Sequence, residues 1–490
     1  MLTATANRDS RLSLWLRVRA FAVPPSMIET STARRSAGDW AGACAAARVD
    51  VDFSPRSVAR THGRDLAARI RADLRHLAPD LLRWHMPRIA PDGLLRPGLT
   101  LTLARYDVAG RDGTGPVHLV ARTPPAWADA GQRISLALWD GSRSDVGARR
   151  HPHPHPGGRF RLDLHRHLWD VRRTDELRIR AGAVRPPDDT GPTVDPDASA
   201  AVPWAHRCAV DRWAAEAGIV LCAEGRPVDA VVVRLGARRR VVVSLVAEGV
   251  GPPAPRITAA PAGADLSALP VLPDAATWVL PDLDLIRAGA IEVDRLHPLV
   301  ASALAPAAPG PHSAVRASPP VDRPGRPHLV ECRGARHRIG LVDGVLAPLD
   351  HDPDEIRREE LLAALTGTPL PCLRVIDVAH RQPDCLDGVR ERLDHGDTAG
   401  ALAVVEGLLG PDTLLRDGAL RDELEAAARR RITYGLYRAG LIGSGPDSGT
   451  GPGLGEGIAA TGPGSGRVRP GRLPGRPHPR HATFRRRADL

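Results

Sequence analysis

The sequence of 490 residues contains no lysine, so all 67 of its basic residues are arginines. This absence excludes every site that depends on a lysine side chain, namely the P-loop phosphate site, Schiff-base enzymes and a lysine general base. Aromatic residues make up only 3% of the chain, whereas hydrophobic residues as a whole make up 42%. The hydrophobic cores must therefore consist mainly of leucine, valine and alanine.

Short signatures of catalysis are also missing. The sequence has no GxSxG, no HExxH, no CxxC pair and no GxGxxG between a predicted strand and a predicted helix. The six cysteines are scattered, and those at 44, 208, 222 and 332 lie in predicted helices or strands, as small buried hydrophobic residues do in a reducing compartment. We therefore expect no cofactor and a non-enzymatic protein.

No long hydrophobic run is present near the start of the chain. Residues 12–23 are apolar, but Arg17 and Arg19 interrupt them and the stretch is too short to cross a bilayer. We expect a cytoplasmic protein that does not associate with membranes.

Within residues 12–22, apolar and other side chains alternate, and this period of two predicts a strand.

Residues 26–49 predict an αα-hairpin. Ser26 and Glu29 have the spacing of a capping box, Gly38 ends the first helix, and Asp39 caps the second. A similar stretch occurs at residues 396–403, where six of eight positions are identical to residues 38–45. Two interpretations stay open. The two stretches are copies of a repeated helical unit, or Gly-Asp independently ends one helix and begins the next at two places in an alanine-rich chain.

The order of predicted elements indicates an α+β, multi-domain protein with antiparallel β-hairpins, αα-hairpin elements and Pro-rich linkers. Changes in amino-acid composition along the chain then indicate the boundaries between the predicted domains and linkers. The predicted units are an N-terminal α+β domain at 11–182, a linker at 183–203, an α/β-hairpin domain at 204–305, a Pro-rich linker at 306–327, a hairpin-plus-helical domain at 328–441 and a disordered basic tail at 442–490.

Histidines cluster between residues 151 and 167. The run His151-Pro-His153-Pro-His155 favours polyproline II, in which side chains two residues apart point in different directions and do not converge on one ion. A helix predicted over residues 160–180 instead places Asp163, His167 and Asp170 on one face, and these three are the candidate metal ligands. They suggest a metal-dependent hydrolase using the His151–His167 region. The alternative is a solvated His-Pro spacer that leads into an ordinary helix.

The basic tail suggests a further alternative. Residues 441–490 contain eight arginines and three acidic residues, so they carry half of the formal net charge of +10. A disordered, arginine-rich segment binds polyanions weakly and without sequence preference. We expect any nucleic-acid binding to be weak and to depend on this tail.

Three segments resemble an uncharacterised actinobacterial protein family: LWLRVRAFAVPPSMIE, AGDWAGACAAARVDVD and DLRHLAPDLLRWHMPRIAPDGLLRPG. The resemblance covers residues 20–182 and extends loosely over the rest. It implies a role as a partner or adaptor in MoxR-type ATPase and von Willebrand A-domain systems, and it assigns no functional residue. Together with the missing catalytic motifs, it favours a non-enzymatic interaction protein with a protein partner.

Overall fold

The structure is a computed structural model. It describes residues 2–107, 115–128, 130–141, 151–183, 193–194, 208–225, 229–236, 239–246, 254–260, 266–304, 328–332, 334–342, 345–366, 370–381, 386–410 and 414–441. The predicted tail at 442–490 and the predicted linker at 306–327 lie outside these residues. The mixture of helices with small, largely antiparallel sheets confirms the α+β prediction.

The chain begins with helix α1 (Leu2–Arg17), which continues into one π-helical turn at Val18–Ala22. The strand predicted over residues 12–22 is therefore wrong. Leu14, Val18 and Ala22 are all buried and recur every fourth residue, so they form one helical face as readily as they fit an alternating strand.

The predicted αα-hairpin is present as α2 (Pro25–Ser36) and α3 (Trp40–Ala46). Gly38 has a φ of +78°, and the Asp39 side chain accepts a hydrogen bond from the Gly42 amide at 2.8 Å. The capping box predicted at Ser26 does not form, because the helix starts one residue earlier at Pro25 and has no side-chain cap.

A mixed four-stranded sheet follows, supported by short helices. Its strand order is β1-β6-β5-β4, with β1 parallel to β6 and the other pairs antiparallel. The elements of this region are β1 (Val49–Val51), α4 (Pro55–Thr61), α5 (Arg64–His76), α6 (Pro79–His85), β2 (Arg88–Ile89), β3 (Leu94–Leu95), β4 (Thr100–Tyr106), β5 (Val117–Arg122), β6 (Ile134–Trp139) and α7 (Leu177–Arg180). Strands β2 and β3 pair with each other as a separate two-stranded antiparallel sheet. One face of the sheet and the helices enclose the largest hydrophobic core.

The helix predicted over residues 160–180 does not form as one element. Residues 160–163 instead pair with β4: the Thr102 amide donates to the Phe160 carbonyl at 3.0 Å, and the Asp163 amide donates to the Thr102 carbonyl at 2.8 Å. Short 3₁₀ turns follow at Arg166–Leu168 and Thr174–Glu176. The free edge of β4 thus takes up backbone groups that a helix would have paired internally.

A second sheet has the order β7-β10-β9-β8 and a core of its own. Its elements are β7 (Thr193–Val194), α8 (Trp213–Glu224), β8 (Ala230–Arg234), β9 (Arg240–Val246) and β10 (Ala254–Ala259). Strand β7 comes from the predicted linker at 183–203 and pairs in parallel with β10.

Helices α9 (Asp274–Thr277), α10 (Pro281–Arg287) and α11 (Pro298–Leu304) come next. Leu285 and Val300, in α10 and α11, are fully buried in the first core. These helices belong to the predicted domain at 204–305, and their apolar faces pack against elements of the predicted domain at 11–182. Buried Asp282 also accepts a hydrogen bond from the Trp84 indole at 2.9 Å.

The last described region, residues 328–441, starts with the predicted hairpin. Strands β11 (His328–Cys332), β12 (Ala335–Val342) and β13 (Val345–Pro348) form an antiparallel sheet. The helices that follow are α12 (Pro353–Thr366), α13 (Pro371–Arg381), α14 (Leu386–Asp394), α15 (Thr398–Leu409) and α16 (Ala419–Ala439). Across the described residues, the helices are too short or too polar for a bilayer span.

Candidate functional site

The three predicted metal ligands are not brought together. The Asp163 carboxylate pairs with the Arg161 guanidinium at 2.7 Å, and the Asp170 carboxylate pairs with Arg166 at 2.7 Å and with Arg172 at 2.8 Å. Within the described residues, none of the three predicted ligands belongs to a group of ligand atoms within 4.8 Å of one another. The helical face that was to align them is absent, since residues 160–163 pair with β4.

His167 is buried beside His165, with the two ring centroids 5.7 Å apart. Burial is the main reason that the pKa of His167 lies well below its usual range, and the neighbouring His165 lowers it further. The Nε2 atom of His165 lies 3.1 Å from a carboxylate oxygen of Glu216 in α8. These histidines therefore pack at the junction between the first core and the second sheet.

The start of the His-Pro run is also packed against the protein and is not a solvated spacer. His151 is buried; its Nε2 atom lies 2.8 Å from the Thr123 carbonyl oxygen, and its Nδ1 atom accepts a hydrogen bond from the His153 amide at 3.2 Å. Both ring nitrogens are thus engaged by the backbone. The Thr100 hydroxyl donates to the His153 carbonyl at 2.7 Å, which fixes the run against the ends of β4 and β5.

A polar pocket of about 760 Å³ lies between the first sheet and helix α16. Asp52, Arg122 and His151 line its sheet side, and Tyr434 and Arg438 line its helix side. Arg438 pairs with the carboxylates of two aspartates, Asp50 within β1 (2.6 Å) and Asp52 just after it. These ion pairs link the end of the described chain to its first sheet.

The two aspartates respond differently to this pocket. Burial acts to raise the pKa of Asp50, but hydrogen bonds from Arg133 and Tyr434 outweigh it and hold the pKa below its usual range. Burial raises the pKa of Asp52, and the nearby Arg438 only partly opposes this. Because the arginine charges face carboxylates of the same chain, we interpret the pocket as a polar contact that joins helix α16 to the first sheet.

Metal-ligand side chains do converge elsewhere in the described residues. Cys332 in β11, His351 before α12 and Cys372 in α13 place one ligand atom each within 4.8 Å of the others. Both cysteines are fully buried. The sequence predicted only that Cys332 is a small buried hydrophobic residue, because the three ligands are about twenty residues apart and match no short motif.

Exposed apolar side chains mark a second feature of residues 328–441. Helix α12 packs through Ile356 onto the small cluster formed by Cys332, Leu370, Cys372 and Leu373. Its second half exposes Leu361 (64%), Leu362 (49%) and Leu365 (84%). We call these three residues the α12 leucine surface. The sequence pattern of these leucines predicted only a helix. It does not show which apolar side chains are buried against the rest of the chain and which stay exposed.

Comparison with known proteins identifies no relative: the chain matches no family model, no curated protein and no solved structure. The site must therefore be interpreted from its own geometry.

Proposed function

We propose that this protein is a non-enzymatic interaction or adaptor protein that binds a protein partner through residues 328–441. The observation that supports this is the distribution of exposed large hydrophobic side chains. Among the described residues there are thirteen, and eleven of them lie in this region, which is less than a quarter of the chain. Exposed apolar side chains concentrated in one region are typical of a protein–protein interaction site.

The α12 leucine surface is the centre of the proposed interface. The three exposed leucines lie within little more than one turn of the helix, and aliphatic anchors of this kind dock into a groove on a partner. The leucines at 361 and 365 are four residues apart and therefore lie on the same side of the helix.

Charge around the α12 leucine surface indicates the chemistry of the partner. Helix α12 carries four carboxylates, at Asp354, Glu355, Glu359 and Glu360, against two guanidiniums, at Arg357 and Arg358. A complementary surface would be apolar at its centre and basic at its rim. The ATPase assembly implied by the family resemblance is the first partner to test for such a surface.

The test compares two variants with matched exposure. Changing Leu361 and Leu365 to glutamate should abolish recovery of a stoichiometric partner when the full chain is purified from native cells. Ile179→Glu, on α7, alters a residue with the same exposure as Leu361 (64%) that lies outside residues 328–441, and it should leave recovery unchanged. Circular dichroism and size-exclusion chromatography with light scattering would verify that both variants are folded.

Two results would contradict the proposal. One is a wild-type chain that is monomeric and free of any stoichiometric partner at both low and high salt. The other is a partner that binds the Leu361→Glu/Leu365→Glu variant as well as the wild type. A homodimer broken by this variant would also replace the proposed partner with a second copy of the chain.

A further inference from the structure

The cluster of Cys332, His351 and Cys372 joins three separate elements. Cys332 is the last residue of β11, His351 lies in the turn between β13 and α12, and Cys372 is the second residue of α13. The sulfur atoms and a histidine nitrogen all lie within 4.8 Å of one another. Atoms of a tetrahedral coordination shell with bonds of about 2.0–2.3 Å are separated by about 3.3–3.8 Å, so only a small adjustment would close the shell.

We propose that Cys332, His351 and Cys372 bind one Zn²⁺ ion that holds β11, α12 and α13 together. Two thiolates and one imidazole form a soft and borderline ligand set that selects zinc over magnesium or calcium. Water would complete the tetrahedron as the fourth ligand. The site goes beyond the proposed interaction function and does not depend on it.

The surroundings of His351 support its role as a ligand. Its Nδ1 atom lies 3.5 Å from a carboxylate oxygen of Glu355, while its Nε2 atom is buried and has no hydrogen-bond partner. A metal-binding histidine uses one nitrogen for the ion and directs the other to a carboxylate or carbonyl, which fixes the tautomer and orients the ring. A buried nitrogen without a partner is costly unless a ligand engages it.

His337 of β12 supports the same ring from its face. The two imidazoles are stacked, with centroids 4.1 Å apart and an angle of 15° between their planes. This stacking holds the His351 ring in place, and it leaves His337 outside the group of converging ligand atoms. His337 is therefore a positioning residue in this arrangement.

The size of the local core explains why this part of the chain needs a cross-link. The hydrophobic cluster that joins β11 to α13 contains four buried residues, and two of them are the cysteines themselves. A core this small contributes little stability, and small units commonly compensate with a metal or a disulfide. A zinc ion would connect residues 332 and 372 across a long segment of chain and so stabilise the region that carries the α12 leucine surface.

The test uses the full chain, purified without an affinity tag and under reducing conditions. Elemental analysis should give about one equivalent of zinc for the wild type. The variants Cys332→Ser, Cys372→Ser and His351→Gln should each lose at least about nine-tenths of it, while Cys222→Ser, which alters an exposed cysteine in α8, should retain it. Replacing zinc with Co²⁺ should produce thiolate-to-cobalt charge-transfer absorption in the wild type and in Cys222→Ser.

Because a ligand variant could lose zinc simply by failing to fold, the wild type provides a second measurement. Adding a chelator should increase protease cleavage between residues 328 and 381, and adding zinc back should reverse it, with cleavage of residues 1–107 unchanged. The proposal is overturned if the wild type holds no zinc and shows no thiolate–cobalt absorption. Zinc that remains at full stoichiometry in Cys332→Ser and Cys372→Ser, or a Cys332–Cys372 disulfide in anaerobically purified protein, would overturn it as well.

Discussion

Two corners between helices, one near each end of the described chain, have nearly the same local structure. In the first, between α2 and α3, Gly38 has a φ of +78° and the Asp39 carboxylate caps the next helix. In the second, between α14 and α15, Gly396 has a φ of +80° and Asp397 caps at 3.2 Å. An arginine five residues before each aspartate also pairs with it, Arg34 at 3.2 Å and Arg392 at 3.0 Å.

Their surroundings differ. A Cβ atom added at Gly38 would have no neighbour within 4 Å, whereas one added at Gly396 would lie 2.2 Å from the Gly131 carbonyl oxygen. The second corner is also bound by Arg48, which lies just after the first hairpin and donates to the His395 carbonyl at 2.7 Å and to Asp397 at 3.1 Å. The comparison shows that the shared Gly-Asp pattern determines the corner, while distant residues determine whether it becomes an interface.

The largest expected effect is at the two glycines. Gly38→Ala should cost about 1–2 kcal/mol of unfolding free energy, the penalty for a left-handed alanine. Gly396→Ala should cost about 4 kcal/mol, because the added methyl group also collides with the Gly131 backbone. Urea unfolding, followed by circular dichroism, measures both values; equal costs at the two sites would show that the second corner is not packed as described.

The next effect concerns His395, which stands where the first corner has Ala37. Burial lowers the pKa of His395 to about 4, from about 6.5 in an unfolded chain. Its contribution to stability is therefore fully present above pH 6.5 and is lost as the pH falls towards 4, because the unfolded chain takes up the proton first. The full loss is about 3 kcal/mol.

Replacing the histidine with a group that does not titrate isolates this contribution. His395→Gln should show a shallower loss of unfolding free energy than the wild type between pH 7 and pH 4, and Ala37→Gln should leave the slope unchanged. Parallel pH profiles for the wild type and His395→Gln would mean that the second corner opens or hydrates enough to accommodate the charged ring.

The corners also show what the sequence can predict. Gly38 and Asp39 at the first corner were predicted correctly, because a left-handed glycine and a capping carboxylate act within a few residues. The strand predicted at 12–22 was wrong because its apolar residues also recur every fourth position. The helix predicted at 160–180 was wrong because its first residues pair with a strand sixty positions earlier.

The candidate sites depend even more on contacts between residues that are far apart in the sequence. Asp163, His167 and Asp170 were grouped by an assumed helix, so they separated when that helix did not form. Cys332 and Cys372 meet only because β11 and α13 pack together, and forty residues of chain carry no local trace of that contact. The sequence therefore predicted the fold class and the corners, but not the groups that distant elements bring together.

A smaller effect is expected at the capping aspartates. Asp39→Ala should cost about 1 kcal/mol, the usual value of a helix N-cap. Asp397→Ala should cost about 2 kcal/mol, because it also leaves the half-buried Arg48 guanidinium without its carboxylate. A double-mutant cycle with Arg48→Ala separates the two contributions. A coupling energy near zero would mean that Arg48 is held by the His395 carbonyl alone.

The smallest effect is expected at the arginines that pair with these aspartates. The side chain of Arg34 is 61% exposed, and an exposed ion pair contributes little because water screens it and two long side chains must be ordered. Arg34→Ala should change the unfolding free energy by less than about 0.5 kcal/mol.

Arg392 is 30% exposed and also lies 5.6 Å from the Phe21 ring, so it contacts the π-helical turn after α1 as well as Asp397. Arg392→Ala should therefore cost about 1 kcal/mol, of which part should persist at high salt, since the contact with the ring is less sensitive to screening than an exposed ion pair. Unfolding in urea at low and high sodium chloride would measure this difference, and an Arg392→Ala effect that disappears in salt would place both arginines in the same solvent-exposed class.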